Sequence, residues 1–341
     1  MRLQPPTSAA GLVRHHLLAL GLAAGLAAAA APAFAADGHP LKVVASFSIL
    51  GDMVKEIAGD AAELTVLVGP DGDAHVYEPT PSDAKALGEA DLLVVNGLGF
   101  EAFMPRLVEA AGFKGRTVVA STGVTPREWE GEEEAGHASA AAPDHAEAGH
   151  EGEAGHAAHE EHDHGAHDPH AWQDLGNGET YVENIVAALA VADPAHAAQY
   201  ERNGAAYVAD LAALDARLKK TFAAIPAERR KVVTSHDAFG YFGAAYGIEF
   251  IAPQGVSTDA EASAGDVARI IEQIRDEHIT AVFVENITDP RLLDRIAAET
   301  GAKVGGELYS DALSKADGPA PTYVKMFEHN ASALAAAMSG S

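Results

Sequence analysis

The sequence has 341 residues, no cysteine and a formal net charge of −27. The length allows two domains with substantial cores, and the missing cysteine excludes disulfides, thiolate metal ligands, cysteine nucleophiles and a lipid-modified N-terminal cysteine. A negative charge of this size repels phosphate backbones, so we expect no nucleic acid partner, whereas cations are compatible with it.

Residues 1–35 are typical of a secretory signal peptide. Arg2 and Arg14 are their only charged residues, an apolar stretch covers 17–30, and Ala33-Phe34-Ala35 forms an A-x-A cleavage signal. The apolar stretch is short and rich in alanine and glycine, which favours a signal peptide over a membrane anchor. We therefore expect an exported protein that resides in a periplasm and carries no lipid anchor.

The next segment, 36–177, is predicted to form an α/β lobe. Its β-rich runs are 41–46, 64–69, 91–97 and 117–121. Helical stretches near 49–58, 81–89 and 101–111 separate these runs. This alternation is typical of a mostly parallel sheet with helices on its faces.

An unusual insert interrupts this lobe at 131–167. It contains eight histidines and ten acidic residues, but no lysine, arginine, aromatic, Val, Ile, Leu or Met. Such a segment has nothing to bury against a core and cannot offset its ordering entropy, so we predict that it is disordered.

Helices are predicted over 178–228, followed by a second α/β lobe over 229–341. One long helix starts near Asp193-Pro194 and runs to about Ala224. The strands of the second lobe are predicted at 231–236, 248–253, 280–286 and 302–310. The fold class is therefore α/β, with two four-stranded lobes joined by a single long rigid helix.

Several metal-ligand residue types follow directly after predicted strands. They are His75, His170, His236, Glu285 and Asp311. Ligands of open α/β sheets bind beyond the carboxyl ends of the strands, so these side chains could converge in the cleft between the lobes. Taken singly, each is also compatible with an ordinary surface histidine, a turn cap or a charged strand end.

The segments DAHVYEPTPSD, DPHAW, SHDAFGYF and LYSDALS resemble the metal-site segments of the cluster A-I solute-binding proteins of ABC importers, which bind zinc or manganese. Within that family the chain is most similar to the zinc-binding component of Azt-type importers. The resemblance covers roughly 41–338 and implies four metal ligands: His75, His170, His236 and Asp311. It also implies an inner-membrane permease with its ATPase as partners, and a periplasmic zinc metallochaperone as a further one.

Three imidazoles and one carboxylate suit tetrahedral Zn²⁺, the transported ligand, whereas Mn²⁺ prefers more oxygen. Four protein ligands close the shell, which indicates binding and not hydrolysis, so we expect a carrier and not an enzyme. We also expect a monomer. Asp73, Asp168, Asp237 and Glu285 are candidates to orient the imidazoles. We expect Trp172 to pack at the lobe interface.

Alternative functions stay open at this point. A manganese-binding transport protein of the same family is one. A zinc-dependent hydrolase would use His75, His170 and His236 with Asp311 or Glu285 as base, and a periplasmic zinc buffer would be built around the insert. In addition, Gly97-x-Gly99-x-x-Ala102 resembles a dinucleotide fingerprint, but the acidic residue expected after the next strand is missing, which favours a tight turn.

Overall fold

The computed structural model describes residues 39–128 and 167–340. The predicted signal peptide, 1–35, lies outside the described residues. So does the predicted insert 131–167, apart from its last residue, His167.

The first lobe contains one parallel four-stranded sheet with strand order β2-β1-β3-β4. Its strands are β1 (Leu41–Phe47), β2 (Ala62–Val68), β3 (Leu92–Val95) and β4 (Arg116–Val119). The helices of this lobe are α1 (Ser48–Ala58), α2 (Pro81–Gly88) and α3 (Met104–Ala111). Because β1 pairs with both β2 and β3, the chain reverses its direction across the sheet between β1 and β3. Ligands of such sheets bind at this switch point.

A short antiparallel ladder follows the first sheet. It consists of β5 (Arg127–Glu128) and β6 (His167–Asp168), which pair across the undescribed segment. His167 was predicted to belong to the disordered insert, but it lies in this ladder, opposite Glu128. Two-residue strands have no periodicity that a sequence pattern could reveal.

Two long helices connect this region to the second lobe. They are α4 (Leu175–Ala192) and α5 (Ala197–Ala223). With 27 residues, α5 is about 40 Å long. Its buried face carries Tyr207, Leu211, Leu214, Leu218 and Phe222, at the steps of three and four residues that the sequence predicts.

The second lobe repeats the parallel four-stranded arrangement, with strand order β10-β9-β7-β8. Its strands are β7 (Lys231–Val233), β8 (Glu249–Ile251), β9 (Ala281–Glu285) and β10 (Lys303–Leu308). Its helices are α6 (Gly240–Tyr246), α7 (Ala264–Asp276), α8 (Arg291–Thr300) and α9 (Tyr323–Ser339). Here the switch point lies between β7 and β9.

One hydrophobic core runs from the first lobe into the second. It joins β1 and α1 to α4, α5 and α9, and it includes the fully buried rings of Phe47, Trp172, Phe242, Tyr323 and Phe327. Two smaller clusters cover the other faces of the two sheets. The shared core fixes the two strand-end edges against each other, which positions the site described below.

The predicted fold class, two four-stranded α/β lobes, is confirmed, and α5 is the predicted long helix, which α4 precedes. Among the residues that the structure describes, no helix is both long and apolar enough to cross a membrane.

Candidate metal centre

The structure brings His75, His170, His236 and Asp311 together between the lobes. One ligand atom from each residue lies within 4.8 Å of the other three. The Asp311 carboxylate is at the centre: its Oδ2 lies 3.1 Å from His75 Nε2 and 3.2 Å from His236 Nε2, and its Oδ1 lies 3.5 Å from His170 Nε2. All three imidazoles therefore present the same nitrogen to the same carboxylate.

His236 follows β7 and is oriented by Glu285, the last residue of the neighbouring strand β9. His236 Nδ1 lies 2.6 Å from Glu285 Oε2. Glu285 Oε1 accepts hydrogen bonds from the main-chain N–H groups of Ser235 and His236, both at 2.8 Å. Glu285 is fully buried and lies outside the four-residue cluster, so its contacts hold the His236 ring in place.

Asp168 orients His170 in the same way. Its Oδ1 accepts from the main-chain N–H of His170 at 3.0 Å and lies 2.8 Å from His170 Nδ1. A carboxylate at Nδ1 fixes the ring and leaves Nε2 directed to the centre of the cluster.

His75 lies in the loop after β2 and is the ligand candidate closest to solvent, with a side chain that is 5% exposed. Its main-chain N–H donates to Asp73 Oδ1 at 2.9 Å. The other oxygen of Asp73 accepts from the Thr258 hydroxyl of the second lobe at 2.6 Å. Asp73 thus connects the His75 loop to the opposite side of the cleft.

Asp311 is held through the residue that precedes it. Ser310 O accepts from Trp172 Nε1 at 3.0 Å and from Gln173 Nε2 at 2.7 Å. Trp172 is fully buried and packs against Phe47 and Phe100 of the first lobe, so its hydrogen bond to Ser310 O connects the two lobes. Asp237, the fourth predicted orienting residue, lines a neighbouring cavity of about 600 Å³ beside Arg127 and Gly240.

The electrostatics of the cluster favour positive charge at its centre. Burial lowers the pKa of His170, but attraction to Asp311 and the hydrogen bond with Asp168 outweigh it and raise that pKa to about 9. Burial likewise lowers the pKa of His236, which Glu285 and Asp311 nonetheless raise well above its usual value. Burial raises the pKa of Asp311, but His170 and His236 hold it well below its ordinary range.

Two buried atoms facing the centre are left without hydrogen-bond partners. They are His170 Nε2 and Asp311 Oδ1. Buried polar atoms are normally paired, so an orphaned nitrogen and an orphaned carboxylate oxygen on the same cluster indicate a ligand between them. The donor set, three imidazole nitrogens and one carboxylate oxygen, fits a divalent transition metal.

The Gly97-x-Gly99 motif forms a turn. Gly97, Leu98 and Gly99 have φ angles of 87°, 54° and 79°, and the following helix, α3, begins only at Met104. In a dinucleotide-binding turn, the helix begins directly after the glycines and its N-terminus binds the phosphates. Here the glycines instead allow the left-handed backbone conformation of the loop.

We did not predict from the sequence the buried polar residues that contact the peptide preceding His170. Ser46, Asn96, Glu101 and Tyr181 form a buried hydrogen-bonded group that reaches the peptide before His170. The only signal in the sequence was the presence of polar residues inside the apolar runs 41–46 and 91–97. Their partners could not be predicted, because the contacts span up to 85 positions along the chain.

The fold and the cluster define a class: a two-lobed α/β binding protein with a buried cation site where the lobes meet. More specifically, the chain belongs to the family described as the periplasmic component A of the zinc-uptake complex, whose model matches residues 43–337. Relatives in this family are named as substrate-binding components of metal ABC transporters.

Named relatives differ in their metals. The manganese-binding lipoprotein MntA of Halalkalibacterium halodurans is 32% identical over 89% of this chain and 90% of its own length. The iron-binding protein YfeA of Yersinia pestis is 32% identical over 86% of this chain and 85% of its own. The solved structure of the periplasmic zinc-binding protein TroA of Treponema pallidum is 31% identical, with a TM-score of 0.75 over 88% of this chain and 99% of that one.

These relatives correct the predicted location. We expected a protein without a lipid anchor, but MntA and several other relatives are named lipoproteins, so this part of the prediction is wrong. It rested on the missing cysteine, which bears on only one chemistry of attachment. The expected periplasmic location agrees with the description of the matching family.

Proposed function

We propose that this protein binds Zn²⁺ through His75, His170, His236 and Asp311 and delivers it to an ABC importer. The observation that carries the proposal is the composition of the cluster: three imidazole Nε2 atoms around one carboxylate, nearly closed to solvent. Zinc accepts such a nitrogen-rich set in tetrahedral geometry, and four protein ligands leave no open position for a reacting water. The arrangement therefore suits binding and release of a cargo ion.

The residues around the ligands support the same ion. Each of His170 and His236 has a carboxylate at Nδ1, the arrangement that typically orients imidazoles bound to zinc through Nε2. The third imidazole, together with the absence of cysteine, also supports a place in the Azt-type branch, where a soluble chaperone would load the site.

Manganese is the second candidate. The relative MntA is named for manganese. In the usual affinity order of divalent metals, however, a nitrogen-rich site binds Mn²⁺ more weakly than Zn²⁺. Manganese prefers more oxygen ligands, and Glu285 could supply one only by leaving His236, which would cost its hydrogen bonds to the main-chain N–H groups of Ser235 and His236.

The test is metal competition on full-length protein purified without a histidine tag and stripped of metal. We expect stoichiometric zinc to displace manganese completely, and Asp311→Ala to lose most of the zinc affinity measured against a chromophoric chelator. The control is Asp317→Ala, which removes an exposed carboxylate six positions further on and should retain wild-type affinity. Preferential retention of manganese over zinc would contradict the proposal and favour the second candidate.

A further inference from the structure

A buried polar group lies below the metal centre without contributing a ligand to it. Ser46, Asn96 and Tyr181 are fully buried, and Glu101 is 7% exposed. Burying a carboxyl and an amide costs free energy unless both are hydrogen-bonded, so each of these side chains needs a specific hydrogen-bond partner.

The Asn96 side chain is directed at the peptide that precedes His170. Its Nδ2 donates to Pro169 O and to Gly97 O, both at 2.9 Å. Its Oδ1 accepts from the Tyr181 hydroxyl of α4 at 2.6 Å. The amide is thus fully engaged in one orientation, which fixes the distance between the β3 end and the DPHAW segment.

Glu101 in turn fixes the main chain of Asn96. Its Oε1 accepts from Asn96 N and from the Ser46 hydroxyl, both at 2.6 Å, and its Oε2 accepts from Gly97 N at 3.3 Å. The Ser121 hydroxyl donates to Asn96 O at 2.6 Å. Every polar group of Asn96 therefore has a partner in the first lobe or in α4.

The intervening turn is conformationally demanding. Leu98 has a φ of 54°, which non-glycine residues rarely adopt, and a Cβ on Gly97 would lie 2.5 Å from Val119 Cγ1. Such a conformation persists only where the surroundings impose it, and the Glu101 bonds impose it here. The turn returns Phe100 to the metal centre, where its ring centroid lies 4.9 Å from that of His75.

We infer that Asn96, held by Glu101, is a positioning residue for the metal ligand His170. Asp168 orients the His170 ring from one side, and Asn96 fixes the preceding peptide from the other. His170 itself has φ −81° and ψ 41°, outside the helical and extended regions, so its backbone depends on these neighbours. The inference rests on the zinc site proposed above and adds the residue that sets its geometry.

The test compares Asn96→Ala with Asn184→Ala in the full-length protein. Asn184 is a matched control, since its Nδ2 also donates to two main-chain oxygens of the first lobe, Ala120 O and Thr122 O, away from His170. Two readouts are needed: zinc affinity against a chromophoric chelator, and the visible absorption spectrum of the Co²⁺-loaded protein, which reports ligand geometry.

We expect Asn96→Ala to weaken zinc binding by about tenfold or more and to alter the Co²⁺ spectrum, as loss of ligand-orienting contacts typically does. Asn184→Ala should leave both unchanged even where it lowers the melting temperature. Wild-type affinity and spectrum in Asn96→Ala would overturn the inference.

Tyr181→Phe removes one donor to Asn96 at constant shape and serves if Asn96→Ala does not fold. We expect it to shift the Co²⁺ spectrum in the same direction with a smaller loss of affinity, and an unchanged spectrum would overturn the inference. A wild-type protein that binds no zinc would instead overturn the metal site itself.

Discussion

At the scale of single residues, the division between ligands and orienting residues decides what the centre can bind. His75, His170, His236 and Asp311 supply the atoms at the centre, and Asp73, Asp168 and Glu285 hold three of them from behind. Glu285 could have been a ligand by its sequence position alone. Its bonds to His236 and to two main-chain N–H groups place it behind the imidazole.

Removing the charge of Glu285 should weaken the metal site without removing a ligand. Glu285→Gln replaces one carboxylate oxygen with an NH₂ group, which donates hydrogen bonds. Either His236 Nδ1 or the main-chain N–H groups of Ser235 and His236 therefore lose their acceptor. We expect zinc affinity to fall about 10- to 100-fold, measured by chelator competition. The matched control is Glu249→Gln, which removes an exposed partner of Lys231 in the same lobe. Equal affinities for the two variants would refute this role of Glu285.

At the scale of secondary-structure elements, α1 and α9 connect the lobes directly. Asp52 of α1 accepts the main-chain N–H of Tyr323 at the start of α9 at 2.8 Å, and the Tyr323 hydroxyl donates to Trp172 O, two residues after His170. The contact joins a helix of the first lobe to the last helix of the second.

The Asp52 contact should make stability depend on pH. Burial raises the pKa of Asp52 from 3.8 to about 6, although the bond from Tyr323 opposes this. Because the folded pKa lies above the unfolded one, the contribution of Asp52 to stability is full below about pH 4 and is lost as the pH rises through about 6. Asp52→Asn keeps an acceptor without the charge. Its free energy of unfolding relative to wild type should therefore increase by about 1 to 3 kcal/mol as the pH rises from 4 to 8.

Urea unfolding of metal-free protein at pH 4.5 and 7.5 measures this difference. Asp60→Asn is the control, since Asp60 is an exposed carboxylate in the turn that follows the same helix. A stability difference between Asp52→Asn and wild type that stays constant with pH would rule out the effect.

At the scale of the whole molecule, the two lobes meet through a continuous core and through contacts across the cleft. Asp71 N donates to Leu313 O at 2.9 Å, and the Thr258 hydroxyl donates to Asp73 Oδ2. The second of these contacts lies beside His75, the ligand candidate closest to solvent. It is therefore placed to slow the escape of a bound ion.

Thr258→Val removes that hydroxyl at nearly constant volume. We expect zinc to dissociate several-fold faster, measured by stopped-flow transfer to an excess of chelator, while the Co²⁺ spectrum stays unchanged because Asp73 still accepts from His75 N. Ser257→Ala provides the comparison, since it removes the neighbouring hydroxyl of the same loop. Identical zinc release rates for Thr258→Val and wild type would show that the hydrogen bond between Thr258 and Asp73 does not slow release.

Local patterns predicted much of this architecture. The β-branched runs and the three-and-four spacing of α5 identified the strands and the long helix, because each depends on residues close in sequence. Strand-end positions indicated five candidates for the centre, because ligands collect at the ends of parallel strands, and the family resemblance selected four of them. The Asn96–Pro169 and Asn96–Tyr181 contacts were not predictable, because they depend on side-chain packing between segments 73 and 85 positions apart.

The central claim is that one zinc ion is held by three imidazoles and one carboxylate. X-ray absorption at the zinc edge, on full-length protein loaded with one equivalent of zinc, tests it most directly. We expect four nitrogen and oxygen neighbours at about 2.0–2.1 Å, with outer-shell scattering from three imidazoles. Asp311→Ala should change this shell. A six-coordinate, oxygen-rich shell with fewer imidazoles, or a spectrum unaffected by Asp311→Ala, would contradict the account.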